Sequence, residues 1–243
     1  MMARVALITG GTRGIGKAIA QNLAENGCDL FLVYRSNDQA AEACRDTIQS
    51  ASHRRVTLFK CDVSSESSVG KLSGDLARQT DRLDVLVNNA GVMPRHYPIE
   101  SIPTDEWNDL IANNLTSIFF LTKALLPLLR KAAPAHIINL SSIAGQTGGT
   151  IGVGYAASKG AVISMTQALA KELAPGIQVN CIAPGPVDTE FLGDELKRKL
   201  KDLDLLKRIV APEEVARAVR FLIESPSVTG QCVTLNGGRY MSR

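Results

Sequence analysis

The stretch Thr9-Gly10-Gly11-Thr12-Arg13-Gly14-Ile15-Gly16 follows directly on the apolar run Arg4 to Thr9 and leads into a segment with helical spacing. Glycines at these positions permit a tight turn. They also let backbone N–H groups and the N-terminus of the next helix come close to an anion. An apolar strand, a glycine turn and a helix in immediate succession open a βα unit. Whether that unit repeats decides the fold.

It does repeat. Candidate strands fall at Arg4 to Thr9, Asp29 to Tyr34, Val56 to Cys61, Asp84 to Asn88, His136 to Ser141, Gln178 to Ile182 and Cys232 to Leu235. Helical spacing occupies the segments near 14–26, 37–51, 65–79, 104–131, 154–173 and 212–224, and Gly27 suits a left-handed cap after the first helix. Several strands are continuous apolar runs, as expected where helices cover both faces of a parallel sheet. The alternation predicts an α/β fold of the Rossmann kind: a single-domain, doubly wound parallel sheet over residues 1–243, with about seven strands and helices on both faces. Residues 190–208 depart from it. Leu192, Leu196, Leu200 and Leu203 recur at helical spacing among Lys197, Arg198, Lys199 and Lys201, which predicts an amphipathic lid helix running from Phe191 to Arg208.

Composition narrows the function classes. With 45% hydrophobic and 21% charged residues the chain can bury a core, which excludes disorder as a global description. A net charge of +3 is too weak for nucleic-acid binding over the whole surface. The five cysteines (Cys28, Cys44, Cys61, Cys181, Cys232) form no C-x-x-C pair and have no neighbouring histidine, so reduced thiols, no metal site and a cytoplasmic setting are expected. No stretch approaches about 18 uninterrupted apolar residues. The most apolar run, Ile118 to Leu129, contains Lys123 and Pro127 and reads as a buried helix, so no membrane partner is expected.

The spacing T-G-x-x-x-G-x-G between a strand and a helix predicts dinucleotide binding, with Gly10, Thr12, Arg13, Gly14, Ile15 and Gly16 around the pyrophosphate. The residue that reads the adenosine ribose is expected about 20 positions on. Counting from Gly16 reaches Tyr34-Arg35-Ser36, where no acid is available for a ribose 2′-hydroxyl. Arg35, with Arg13, can instead clamp a 2′-phosphate, which favours NADP(H) over NAD. Asp62-Val63, after the third strand, is placed for Asp62 either to accept from the adenine amino group or to cap the helix beginning near Ser65.

Tyr155-Ala156-Ala157-Ser158-Lys159 falls on a predicted helix, so phenol and ammonium share one face about 5 to 6 Å apart at Cβ. A neighbouring ammonium favours phenolate, which predicts a Tyr155 pKa below its usual value and proton exchange near neutrality. Asn88-Asn89-Ala90-Gly91 closes the fourth strand, Asn114 precedes Leu115, and Ser142 lies thirteen residues before Tyr155. Pro184-Gly185-Pro186-Val187 follows the sixth strand, with Thr189 just beyond.

Together with the glycine turn, this set resembles the short-chain dehydrogenase/reductase family from Ala3 to about Gly238, almost the whole chain. The resemblance implies that Tyr155 exchanges a proton with the substrate oxygen and that Ser142 polarises that oxygen, Ser141 pointing to the other side. It implies that Lys159 binds the nicotinamide ribose and lowers the Tyr155 pKa, and that Asn114 holds a water linking Lys159 to solvent. Asn88, Ala90 and Gly91 would lie along the cofactor. Pro184, Gly185, the Val187 amide and Thr189 would meet the nicotinamide carboxamide. A homo-oligomer, tetramer or dimer, joined through the helices of Asn114 and Tyr155 is also implied.

Within the family the chain is most similar to reductases of 3-oxoacyl thioesters on acyl carrier protein. That similarity rests on Arg13, Arg35, Asn180, Pro212-Glu213-Glu214-Val215-Ala216 and the ending Leu235-Asn236-Gly237-Gly238. Arg130, Lys131 and the cations from Lys197 to Arg208 could face an acidic carrier, or the latter could simply solvate a lid. Lys171 to Gly176 lacks the arginine such reductases often carry there. The loop Met93-Pro94-Arg95-His96-Tyr97-Pro98 could shape a pocket for a different ketone, with His96 at substrate. The alternatives are therefore the same machinery acting on a free ketone, sugar or steroid-like alcohol, and a non-catalytic NADP-binding protein. The last would be expected to lose one of Asn114, Ser142, Tyr155 and Lys159, and all four are present.

Overall fold

Seven strands, β1 (Val5–Thr9), β2 (Asp29–Tyr34), β3 (Val56–Lys60), β4 (Val85–Asn88), β5 (Ala135–Leu140), β6 (Ile177–Pro184) and β7 (Cys232–Leu235), form one sheet in the computed structural model. The model describes residues 3–95, 98–190 and 192–241. The spatial order is β3-β2-β1-β4-β5-β6-β7, and every neighbouring pair is parallel. Strand order reverses between β1 and β4, so a crevice opens there at the carboxyl ends of the strands, the usual ligand position in such sheets.

The helices are α1 (Gly14–Glu25), α2 (Asp38–Ser52), α3 (Glu66–Ala77), α4 (Thr104–Ile111), α5 (Ser117–Ala132), α6 (Ala144–Thr147), α7 (Val153–Leu173), α8 (Asp194–Lys201) and α9 (Pro212–Glu224). Side chains alternate across the sheet. Ala6, Ile8, Leu30 and Leu32 pack with Ile19 and Leu23 of α1 and Val215, Val219 and Leu222 of α9. Leu7, Phe31, Val33 and Leu86 pack on the other side with Leu72 and Leu76 of α3 and Leu121 and Leu125 of α5. Both faces being covered, the strands carry no polar alternation, which is why they read as unbroken apolar runs. Each fully buried leucine contributes about 1.5 to 3 kcal/mol.

Three departures from the sequence expectation bear on the site. The helix expected at 104–131 is interrupted by a π turn over Ala112–Thr116, which contains Asn114. A short helix, α6, follows Ser142 and had no periodic signal. The expected lid helix is an eight-residue helix, α8, with Phe191 and the Leu196 side chain outside the described residues. The helix ends because the Arg239 guanidinium takes the Leu200 carbonyl at 2.5 Å and the Asp204 carboxylate at 2.6 Å, pulling the chain into a loop. Leu203, expected on the apolar stripe, is 65% exposed.

At the opposite strand ends, His136 is buried with its Nδ1 unpartnered. Burial and the Arg4 cation push its pKa down to about 4, with Asp84 pulling weakly the other way. An unfolded histidine takes up its proton near pH 6.5, so between about 6.5 and 4 the unfolded state binds a proton that the folded state refuses. Stability should therefore fall on the order of a few kcal/mol as pH drops through that window. Thermal midpoints measured across it should decline less steeply for His136→Gln; equal slopes would remove His136 as the cause.

Candidate active site

The glycine turn is fastened to the end of β4. Gly10 (φ 62°) and Gly14 (φ 49°) adopt left-handed backbone that favours glycine. A Cβ on Gly16 would lie 2.1 Å from the Gly10 carbonyl oxygen and 2.6 Å from Asn89 Nδ2. Asn89 Nδ2 donates to the Thr9 and Gly10 carbonyls at 2.8 and 3.2 Å. The Thr9 hydroxyl accepts the amides of Asn89 and Ala90, both at 3.0 Å. Sequence reasoning passed over Asn89, assigning its neighbours Asn88, Ala90 and Gly91; the only signal was the Asn88-Asn89 pair itself. The Asn88 side chain points into the sheet, donating to Asn139 Oδ1 at 2.8 Å, so what it offers a ligand is backbone.

α1 carries no acid in its first turn, so its N-terminal amides and the positive end of its dipole are open to an anion. Thr12, Arg13 and Ile15 lie between the turn glycines at its rim. Beyond β2, Arg35 is 61% exposed, with a terminal guanidinium nitrogen 3.7 Å from an Asp62 carboxylate oxygen; Ser36 beside it is exposed. Ser65 caps α3 by accepting from the Ser68 amide, so Asp62 is not the cap. Asp62 accepts the Ser64 amide and hydroxyl at 3.0 and 2.6 Å, and these bonds together with Arg35 hold its carboxyl below the usual range. Val63 is buried behind it.

α7 brings Tyr155 and Lys159 to the carboxyl ends of β5 and β6. The Ser142 and Tyr155 hydroxyls are hydrogen-bonding partners. Lys159 Nζ donates to the Leu140 carbonyl at 2.8 Å and lies 5.8 Å from the Tyr155 ring centroid. Burial pushes the Lys159 pKa down to about 8. The expected lowering of the Tyr155 pKa is reversed: burial raises it, and the Ser142 bond offsets this only in part. Burial of the phenol is the cause, and the ammonium is directed at the Leu140 carbonyl rather than at the phenol oxygen. Ser141 points away, as expected, and donates to the Lys159 carbonyl at 2.8 Å.

Asn114 is fully buried in the π turn. Its Oδ1 accepts the Val92 amide at 2.7 Å, and its Nδ2 donates to the Val92 carbonyl at 3.1 Å and to Ser158 Oγ at 3.3 Å. A Cβ on Gly91 would meet Asn114 Oδ1 at 2.8 Å and Lys159 Nζ at 3.6 Å, so Gly91 is the open wall of this cluster. Gly145, also unforeseen, lets α6 touch α7: a Cβ there would fall 2.5 Å from the Lys159 carbonyl carbon and 2.7 Å from the Gly160 amide. Gly145→Ala is therefore expected to cost about 1 to 3 kcal/mol, since only backbone could yield. An unchanged denaturant midpoint would show that α6 can move freely.

Past β6, the Gly185 amide donates to the Leu235 carbonyl at 2.7 Å, and the Pro184 carbonyl accepts from Ile143 at 3.0 Å, tying this turn to the Ser142 segment. The Asp188 amide and Pro186 carbonyl pair with Val210 at 2.8 and 3.2 Å. In a parallel bridge this turns the amide of the intervening Val187 to the opposite side, toward the crevice. Thr189 follows, half-buried at the base of the lid. Among the lid cations, Lys197 pairs with Asp188 and Lys199 with Glu195, both at 2.6 Å. His96 and Tyr97 lie outside the described residues.

The family profile described as short chain dehydrogenase matches residues 4–200. The chain is 36% identical over 244 residues to a 3-oxoacyl-(acyl-carrier-protein) reductase of Chlamydia trachomatis, covering 98% of each chain. It is 35% identical over 246 residues to that of Aquifex aeolicus, covering 99% of this chain and 98% of the relative. Among solved structures, the Pseudomonas aeruginosa RhlG/NADP active-site complex superposes with TM-score 0.91 at 34% identity, covering 97% of this chain and 96% of that one. A 3-oxoacyl-(acyl-carrier-protein) reductase of Brucella melitensis gives 0.90 at 34%, covering 98% and 92%.

Proposed function

Because the chain belongs to the short-chain dehydrogenase/reductase family and is an oxidoreductase of CH–OH and C=O groups, we propose that it is a cytoplasmic, NADPH-dependent reductase of 3-oxoacyl thioesters carried by an acyl carrier protein. The observation that carries the catalytic part is the cluster of half-buried Ser142 with buried Tyr155 and Lys159, beside a glycine turn that fits a pyrophosphate. The thioester substrate is supported by the full-length likeness to carrier-protein reductases.

The residues fit a dinucleotide. The Gly10 to Gly16 turn excludes any Cβ at Gly16 and presents α1 amides to the pyrophosphate. Arg35 and Arg13 would hold a 2′-phosphate, Asp62 and Val63 the adenine, Ala90 and Gly91 the ribose, and the Val187 amide and Thr189 the carboxamide. A dinucleotide held by these residues would supply the hydride that reduces the carbonyl carbon. Tyr155 delivers the proton to the carbonyl oxygen: its raised pKa keeps the phenol protonated at neutral pH, which favours reduction. Ser142 donates a second hydrogen bond to that oxygen as charge develops there. Lys159 has three donors and gives one to Leu140, leaving two for ribose hydroxyls. With both ends of the Asn114 amide already bonded, a relay water at Asn114 would use a main-chain carbonyl released by the π turn.

The same reading includes a homo-oligomer, dimer or tetramer, through the outer faces of α5 and α7, where Phe119 is half exposed. The testing experiment compares NADPH and NADH oxidation with a 3-oxoacyl thioester, a free 3-oxo ester and a simple ketone. Fastest NADPH turnover on the thioester supports the proposal, whereas tight NADPH binding without thioester turnover would transfer it to a free carbonyl substrate. Arg35→Ala should raise the KM for NADPH about tenfold or more, the worth of a charge-assisted bond of about 1.5 to 3 kcal/mol. The KM for NADH should hardly change; equal effects on both would remove Arg35 from the 2′-phosphate.

A further inference from the structure

Cys181 of β6 and Cys232 of β7 are direct partners in the parallel ladder, with side chains on the same face. Neighbouring strands run about 4.8 Å apart, inside the Cα separation of about 4.4 to 6.8 Å that a disulfide spans. The backbone register thus sets the two Cα atoms within reach of a disulfide. They end a row of register partners, Asn88, Asn139, Cys181 and Cys232, that crosses four strands beneath α7. Thr166 of α7 accepts from Asn139 at 2.9 Å and donates to the Val162 carbonyl at 2.8 Å.

The Cys181 thiol donates to the Cys232 sulfur, and Gln146 Nε2 reaches the same sulfur at 3.7 Å. Cys181 is fully buried, whereas Cys232 is partly exposed. Hydrogen bonding from Cys181 holds the Cys232 thiol below its usual pKa, the condition for a reactive thiolate. The other three cysteines have no cysteine as a register partner in the sheet, and they differ from Cys232 in burial and acidity. Cys28, Cys44 and Cys61 are buried, and burial raises their thiols, those of Cys28 and Cys61 to about 11.

We propose that Cys181 and Cys232 form an oxidisable dithiol site, which a hydroperoxide converts to an intrachain cross-strand disulfide. The Cys232 thiolate attacks a peroxide oxygen, the O–O bond breaks, and the departing hydroxide is protonated to water, leaving a sulfenic acid. The Cys181 sulfur then attacks the Cys232 sulfur. The S–O bond breaks, and hydroxide leaves as water with the Cys181 proton. In total, two thiols lose two electrons and two protons, and one hydrogen peroxide is reduced to two waters. Cys181 needs no access to solvent, since its only reaction partner is the sulfur beside it.

The test exposes the reduced full-length protein to hydrogen peroxide, alkylates the remaining thiols under denaturing conditions and maps the peptides by mass spectrometry. The expected result is loss of two of the five thiols, a peptide pair joining Cys181 to Cys232, and full recovery with dithiothreitol. Cys232→Ser should abolish that loss. A disulfide between two chains, a linkage through Cys28, Cys44 or Cys61, or a Cys232 sulfinic acid with Cys181 still alkylated would overturn the proposal. Phenylarsine oxide supplies a measurement on the unmutated protein. Its trivalent arsenic should bridge both sulfurs, resist a monothiol wash and leave with a dithiol; no retained arsenic would equally overturn the site.

Discussion

Tyr155→Phe is expected to lower kcat about 10²- to 10⁴-fold, the usual contribution of a positioned proton donor. Phenylalanine fills the same space on α7 and removes only the hydroxyl, so neither the fold nor the glycine cradle should change. The hydroxyl bonds Ser142, and in the proposed mechanism its removal would leave Ser142 to polarise the carbonyl without a proton to follow. Because the lost interaction acts on the developing alkoxide, kcat and kcat/KM should fall together while NADPH affinity stays near that of the unmutated enzyme. Steady-state kinetics and a fluorescence titration with NADPH check both halves. Turnover within a few-fold of the parent would transfer the proton to another group.

Gly16→Ala is expected to impair nucleotide binding more than any other single methyl addition in the turn. The new Cβ would stand 2.1 Å from the Gly10 carbonyl oxygen, 2.8 Å from the Gly10 carbonyl carbon and 2.6 Å from Asn89 Nδ2. No rotamer relieves these contacts, because the obstructing atoms are backbone and an amide whose own bonds close the turn. Either α1 withdraws from the turn or Asn89 releases Thr9 and Gly10. Overpacking of this kind costs about 1 to 3 kcal/mol. If that strain falls on the bound geometry, NADPH affinity drops by about tenfold to a hundredfold. Calorimetric titration of NADPH with a parallel thermal scan separates weakened binding from unfolding; parent-like affinity would show that the turn is not the cradle.

What the sequence made legible was local. The strands were readable because burial on both faces leaves them continuously apolar. The glycine turn and Tyr155 with Lys159 were readable because their spacing is short and their geometry repeats within one element. Contacts between distant segments were not. Asn89 fastens a turn eighty positions away, and nothing in its immediate surroundings says so. Gly145 matters only because α6 crosses α7 at Lys159 and Gly160, a crossing no periodicity announces. The lid helix was overextended because Arg239, which ends it by taking Leu200 and Asp204, lies beyond the window in which leucine spacing is read. The Tyr155 pKa is opposite to the expectation because an i, i+4 pair fixes proximity to the ammonium but not how deeply the phenol is buried.

The placement of β1 also governs the order in which the polypeptide can assemble during synthesis. β1 is an interior strand, with β2 on one side and β4 on the other, and the Val5 amide bonds the Asp84 carboxylate at 2.9 Å, seventy-nine positions along. A nascent chain that has emerged only through β3 therefore holds three of the seven strands, with one edge of β1 unpaired and the glycine turn without its Asn89 bonds. Exposed edges of this kind template association with other chains, and sheets closed by distant pairings form slowly. Emergence of Val85 to Ala90 supplies the missing neighbour and the Asn89 fastening in one event. Until then the β1 edge stays open, and a nascent chain held at that stage is expected to associate more readily than one that has passed it.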